Sequence, residues 1–126
     1  MSRKTISQPI RILIADQNQA YLYSMQNFIQ NEKNLDLIDV CETINDLIFA
    51  LKTSKINVLI IDENIFQKNT ITEIKNINRQ YPEIKIVGLS IDDSIHMKEK
   101  MIGAGAHKYI FKWDIGRELI NAINYN

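Results

Sequence analysis

Residues 57–66 read Asn57-Val58-Leu59-Ile60-Ile61-Asp62-Glu63-Asn64-Ile65-Phe66: four apolar positions in a row, then a carboxylate. Val58 to Ile61 do not alternate with polar residues, and Val58, Ile60 and Ile61 are β-branched. An unbroken apolar run of this kind is expected where a strand is covered on both faces, as in a parallel sheet. The question left by the stretch is whether Asp62 is a working group or a polar terminator.

Four further runs flank it: Ile10–Ala15, Leu37–Cys41, Ile84–Leu89 and Lys108–Phe111, short and rich in β-branched or aromatic residues. Asp36 and Asp39 fall in and beside the second, which suits a half-exposed edge strand. Helical stripes lie between the runs. Leu22, Met25, Phe28 and Ile29 form the first, and Ile44, Leu47, Ile48 and Leu51 the second, with Thr43 and Asp46 as a capping pair. Ile71, Ile74 and Ile77 make the third, closed before Pro82. Ile95, Met101 and Ile102 follow, capped by Asp92, Asp93 or Ser94; then Ile115, Leu119 and Ile123, capped by Asp114. All five stripes are expected to face the core.

Strands alternating with helices require a parallel sheet with right-handed crossovers. Five such units in 126 residues predict an α/β fold. The expected architecture is a single doubly wound five-stranded parallel sheet of order 2-1-3-4-5, flavodoxin-like, with five helices. Residues 1–8 read as a flexible N-terminal arm and 9–126 as one domain.

Composition removes several function classes. Fifteen basic and fifteen acidic residues balance, so no field draws this domain to nucleic acid. Ser2-Arg3-Lys4-Thr5 is basic but has no apolar run behind it, and no segment approaches the ~20 apolar residues of a membrane span. Cys41 is alone, so it makes no internal disulfide or cysteine metal cluster; it suits a reducing, cytoplasmic setting and a buried strand position. His96 and His107 have no ligand partner at useful spacing and read as surface residues. The turn Asp16–Ala20 lacks glycine, which excludes a dinucleotide fingerprint and a P-loop, and no Gly-x-Ser-x-Gly elbow occurs.

In the order 2-1-3-4-5 the chain reverses direction across the sheet between strands 1 and 3, and ligands bind outside the strands' carboxyl ends there. The residues at these ends are Asp16-Gln17, Asp62-Glu63-Asn64, Ser90-Ile91 and Lys112-Trp113. Acids suit a hard cation such as Mg²⁺, a lysine and a hydroxyl suit phosphoryl oxygens, and a carboxylate can be the nucleophile. Each residue alone has an ordinary reading. Either aspartate can be a strand terminator, Ser90 a loop cap, Tyr109 a packing residue and Lys112 a solvated charge. Their convergence on one crevice is what favours phosphoryl transfer.

These residues carry a resemblance. From about residue 10 to 124 the chain resembles the receiver domain of two-component response regulators. Ile10–Asn18 (IRILIADQN) is similar to the family's first strand and acidic turn, and 57–64 (NVLIIDEN) to its third strand. Residues 84–90 (IKIVGLS) end on the family's hydroxyl, and 103–113 (GAGAHKYIFKW) are similar to its fifth strand with the preceding turn. The resemblance implies that Asp62 is the phosphoacceptor, Asp16 a metal-site acid and Asn64 the donor of a backbone carbonyl to Mg²⁺. It implies that Ser90 is the switch hydroxyl, Tyr109 the switch aromatic and Lys112 the phosphoryl-contacting lysine. The donor would be a histidine kinase or phosphotransfer protein. An output domain or partner protein would meet the face of helix 4, strand 5 and helix 5, and a homodimer is compatible with this. No enzyme activity is implied beyond the domain's own phosphoryl transfer and dephosphorylation.

Four positions depart from the family pattern. Gln17 replaces the second acid and offers the metal only an amide oxygen. Two carboxylates about 5 Å apart repel by roughly 3 kcal/mol at an effective dielectric of ~20, so its neutrality also favours the metal-free fold. Ile91 stands where a small residue is usual and is expected to crowd a phosphoryl group. Trp113 replaces a proline, so a trans Lys112–Trp113 bond is expected. Ile65-Phe66-Gln67-Lys68-Asn69 replaces a Pro-Gly turn. The alternative they raise is a pseudo-receiver, a phosphorylation-independent interaction module. The sequence stops soon after its fifth helix, which fits a stand-alone receiver or the receiver part of a longer regulator.

Overall fold

The central strand β3 (Val58–Asp62) is buried at all five positions in the computed structural model. β1 (Ile10–Ala15) pairs with it on one side and β4 (Lys85–Ser90) on the other; β2 (Leu35–Cys41) and β5 (Lys108–Phe111) form the edges. All pairings are parallel and the order is β2-β1-β3-β4-β5, as expected from the alternation of strands and helices. Edge strand β2 is half-exposed, as expected, and its register skips Ile38 between the pairs Ile12–Leu37 and Leu13–Asp39.

The structure describes residues 8–66, 69–91, 94–112 and 115–124. Outside the described residues lie the expected arm save Gln8, the candidate caps Asp92, Asp93 and Asp114, and Gln67 and Lys68 of the loop. Trp113 with its bond to Lys112 lies outside them too.

Five helices connect the strands: α1 (Gln19–Gln30), α2 (Ile44–Thr53), α3 (Thr70–Gln80), α4 (Ile95–Ala104) and α5 (Ile115–Asn124). Side chains of Asn18, Thr43 and Ser94 accept from the backbone N–H of the third residue of α1, α2 and α4, which satisfies otherwise orphaned donors. Gly105 ends α4 at φ 119°, where a β-carbon would strain the backbone and meet the Asn78 side chain. Lys85 Nζ donates to the carbonyls of Ala122 and Ile123 and so closes the C-terminal end of α5. Among the described residues no helix is long and apolar enough to cross a membrane.

Strand alternation sends side chains to two cores. Leu13, Leu59, Ile61 and Ile86 pack beneath α2, α3 and α4, with Leu47, Ile74 and Met101; Ile12, Ile14, Val58, Ile60, Val87 and Ile110 pack beneath α1 and α5, with Met25 and Leu119. Two helical stripes differ from expectation. In α2 the buried residues are Leu47, Ala50 and Leu51, while Ile44 and Ile48 are exposed. In α4 Met101 and Ala104 are buried with Met97 half-covered, and Ile95 is 70% exposed. Small Ala and flexible Met let these helices approach the sheet closely; a β-carbon on Gly88 would lie 2.4 Å from Met101 Cε. Cys41 is a buried strand residue as expected, and burial, then Asp39 and Asp46, push its thiol up to about 12.

Candidate functional site

The alternation that sorts the two cores also sorts the strand ends. Ile12 and Ile14 precede Asp16, Val58 and Ile60 precede Asp62, and Ile110 precedes Lys112, each at a spacing of two that keeps one face of the sheet. The three charged groups therefore emerge together on the side of α1 and α5. Lys112 Nζ lies 2.7 Å from Asp16 Oδ2 and 3.0 Å from Asp62 Oδ1. The other oxygens are held by the local turns: Asn18 N donates to Asp16 Oδ1 and Asn64 N to Asp62 Oδ2, both at 2.9 Å. Asp16 N in turn donates to Cys41 O at 3.0 Å, which ties the acidic turn to the sheet edge. All three residues are buried.

One ammonium thus serves two buried carboxylates. Burial, and then the Asp16 charge, raise the Asp62 carboxyl above the ordinary range; contact with Lys112 and the Asn64 N–H oppose the rise without cancelling it. Burial alone would lower the Lys112 ammonium, but its contacts with Asp16 and Asp62 together outweigh this and raise it. A fourth group completes the cluster. The Tyr21 ring lies 4.3 Å from Lys112 Nζ, a cation–π distance, and its hydroxyl is 3.5 Å from the Lys112 carbonyl. Burial, then the two aspartates, push the Tyr21 phenol far up, so it stays neutral.

Ser90 and Tyr109 lie on the opposite side of the sheet. Ser90 is fully buried, at the spacing of two that follows Ile86 and Gly88; Tyr109 is half-buried against the core beneath α4. Glu63 joins Ser90 there. Its N–H donates to Leu89 O at 2.9 Å, its carbonyl accepts from Thr70 Oγ1, and its buried carboxylate accepts the Ser90 hydroxyl.

The sequence-derived set is therefore placed in two groups. Asp16, Asp62 and Lys112 touch one another, Ser90 and Tyr109 sit across the sheet, and Asn64 and Gln17 are exposed at the crevice mouth. Tyr21 and Glu63 belong to the site and were not singled out from sequence. Ile91, one residue past Ser90 at the carboxyl end of β4, is 59% exposed.

The donors present fit a hard divalent cation. Asp16 Oδ2 is buried, with no hydrogen-bond partner among the described residues beyond its ion pair to Lys112, and Asp62 faces it across the same ammonium. No group of three or more His, Cys, Asp or Glu gathers for a metal among the described residues, so carbonyl oxygens would have to complete the set.

Comparison with known proteins agrees with this architecture. A family profile described as the response regulator receiver domain matches residues 12–124. The transcriptional regulatory protein DegU of Brevibacillus brevis is 21% identical over 123 residues, which cover 98% of this chain and 52% of DegU. The chain thus spans about half the length of that curated relative. The RcsB response regulator of Salmonella typhimurium superposes with a TM-score of 0.84 at 19% identity, over 91% of this chain and 58% of RcsB. The response regulator domain of Thermotoga maritima CheB gives 0.79 at 16% identity, over 92% of this chain and 94% of that domain. With this fold, these strand ends and a family match over nearly its whole length, the chain belongs to the receiver domains of two-component response regulators.

Proposed function

We propose that Asp62 is the phosphoacceptor of this receiver and that its phosphorylation switches a partner or output domain. The observation that carries the proposal is the buried Lys112 ammonium bridging Asp16 and Asp62 at the carboxyl ends of β1 and β3. An Asp62 oxygen attacks phosphorus as the phosphorus–nitrogen bond of a phosphohistidine donor breaks, and the bonding pair leaves with the imidazole. Lys112, released from one carboxylate oxygen, offsets the charge gathering on the phosphoryl oxygens. Asn64 N keeps the second Asp62 oxygen turned away from the attack. When bound, Mg²⁺ supplies further positive charge to those oxygens; Asp16, Asp62 and the Asn64 carbonyl would hold it, with Gln17 adding at most an amide oxygen. One acid fewer predicts a weaker magnesium site than that of a three-acid receiver. Receiver domains are signalling domains; any catalysis here is limited to the domain's own phosphoryl transfer and hydrolysis.

The donor would be a histidine kinase or a phosphotransfer protein. The output surface would be α4, β5 and α5, where Ile95 and Ile102 are exposed and a groove of about 540 Å³ runs along Tyr109, Glu118 and Ala122. Acetyl phosphate or beryllofluoride with Mg²⁺ should modify the wild-type chain and leave Asp62→Asn unmodified, read by intact mass and by spectral shift. Absence of any adduct sinks the proposal. It would favour the second reading, a pseudo-receiver, whose support is the exposed neutral Gln17 at the acidic turn.

A further inference from the structure

Asp62 and Glu63 are neighbouring acids that face opposite sides of the sheet. The Glu63 N–H extends the ladder one residue beyond β3 by donating to Leu89 O at 2.9 Å, and this fixes which way its side chain leaves the backbone. It leaves on the side of Leu59 and Ile61, beneath α2, α3 and α4, where Ser90 also lies. Thr70, in the first turn of α3, holds the Glu63 carbonyl, so the residue is anchored at both ends of its peptide. A carboxylate buried in this position requires hydrogen-bond donors, and the Ser90 hydroxyl is one of them.

We propose that Glu63 is a latch on the switch: a positioning residue that holds the Ser90 proton on the α4 side of the sheet and limits acceptance of a phosphoryl group at Asp62. The proposal rests on the reading of Asp62 as phosphoacceptor. A serine hydroxyl has a single proton, and a proton donated to Glu63 is not available to a phosphoryl oxygen. A hydrogen bond to a carboxylate is also about twice as strong as one between neutral groups. Loading of Asp62 therefore requires Ser90 to exchange a charged acceptor for the phosphoryl oxygen. The product favours that exchange, because a phosphoryl group adds about −1.5 to −2 charges beside the Glu63 carboxylate and repels it. Movement of Ser90 and movement of Glu63 are then one event, transmitted to α3 through Thr70 and to α4 through the space the pair vacates.

The test is beryllofluoride binding to the full chain with saturating Mg²⁺, followed by ¹⁹F NMR. Wild type, Glu63→Gln and Glu63→Met are compared, each with Ser90 and with Ser90→Ala. The latch predicts about tenfold tighter binding for Glu63→Met and roughly threefold for Glu63→Gln, which keeps a neutral bond to Ser90. In the Ser90→Ala background both gains shrink to what removal of the Glu63 charge alone supplies, because there is no proton left to release. Equal gains in both backgrounds would mean that Glu63 acts only through its charge and would overturn the latch. Unchanged affinity in Glu63→Gln and Glu63→Met, with wild type binding, overturns it too and leaves the phosphoacceptor reading intact. If folded wild type and every variant fail to bind, the phosphoacceptor reading itself fails and the latch falls with it. Glu63→Gln preserves shape, so the comparison survives a Met variant that does not fold.

Discussion

Asp62→Asn removes one negative charge from a crevice in which two buried carboxylates share one ammonium, while leaving the side-chain shape unchanged. Three effects decide its consequence, one against two. The attraction lost, Lys112 to Asp62 at 3.0 Å, amounts to about 5 kcal/mol at an effective dielectric of ~20. Against it stands repulsion from Asp16. Both acids touch the same nitrogen, so they lie within about 6 Å of each other, worth roughly 3 kcal/mol at that dielectric. Desolvation of a carboxylate as buried as Asp62 adds several kcal/mol on the same side. The upward direction of the Asp62 carboxyl, with burial first and Asp16 second among its causes, agrees with the opposing effects outweighing the attraction. Asp62→Asn should therefore stabilise the protein, by about 1–2 kcal/mol, or a rise in melting temperature of roughly 3–8 °C for a chain of this size. The pH dependence has a defined sign. An acid whose folded pKa exceeds its unfolded value of about 3.9 binds its proton more tightly when folded, so its ionisation costs stability as pH rises through that window. The gap between variant and wild type should narrow as pH falls and close toward about 4. Circular-dichroism melts of both proteins from pH 4 to 8 measure it. A variant that melts below wild type at pH 7, or a gap that widens on acidification, would refute the reasoning.

Lys112→Met should do the reverse, because it leaves Asp16 and Asp62 buried without their common partner; a loss of about 3–5 kcal/mol is expected, read as a lower urea midpoint that recovers on acidification. Gln17→Asp should restore a third acid to the crevice and tighten Mg²⁺ binding by about tenfold, measured by calorimetry, while lowering metal-free stability through added repulsion. Tyr21→Leu should cost about 0.5–2 kcal/mol by uncovering Lys112, whereas Tyr21→Phe keeps the ring over Nζ and should lose much less; equal losses in urea melts would assign the effect to the hydroxyl rather than to the ring.

The fold was legible because period and composition agree along most of the chain. An unbroken apolar run such as Val58–Ile61 has few homes other than a covered parallel strand, and regular alternation with helices then leaves few strand orders. Where α2 and α4 departed from expectation, isoleucine was the misleading residue. Helical spacing shows that apolar residues share a face, yet α4 offers two such faces. The one that packs carries Met97, Met101 and Ala104, because close approach over Gly88 rewards thin or flexible side chains above branched ones. The isoleucines left outside, Ile95 and Ile102, lie on the surface proposed to meet a partner.

The crevice was legible for the same reason as the sheet. Asp16, Asp62 and Lys112 each follow a run whose direction and parity are readable, so their convergence needed no knowledge of contacts. Tyr21 carried no such signal: it sits in the first turn of a helix and meets Lys112, 91 residues on in the chain, only after the sheet has closed. Glu63 is the more instructive miss. Beside a candidate nucleophile an acid is naturally counted as part of the same charge cluster, but strand parity sends it through the sheet to Ser90. Five residues of one strand and the next in line thus present the proposed nucleophile to one side and a restraint on the proposed switch to the other. A change at Asp62 has then only one peptide to cross before it reaches Ser90, and no chain of intermediate side chains is needed to couple the two faces.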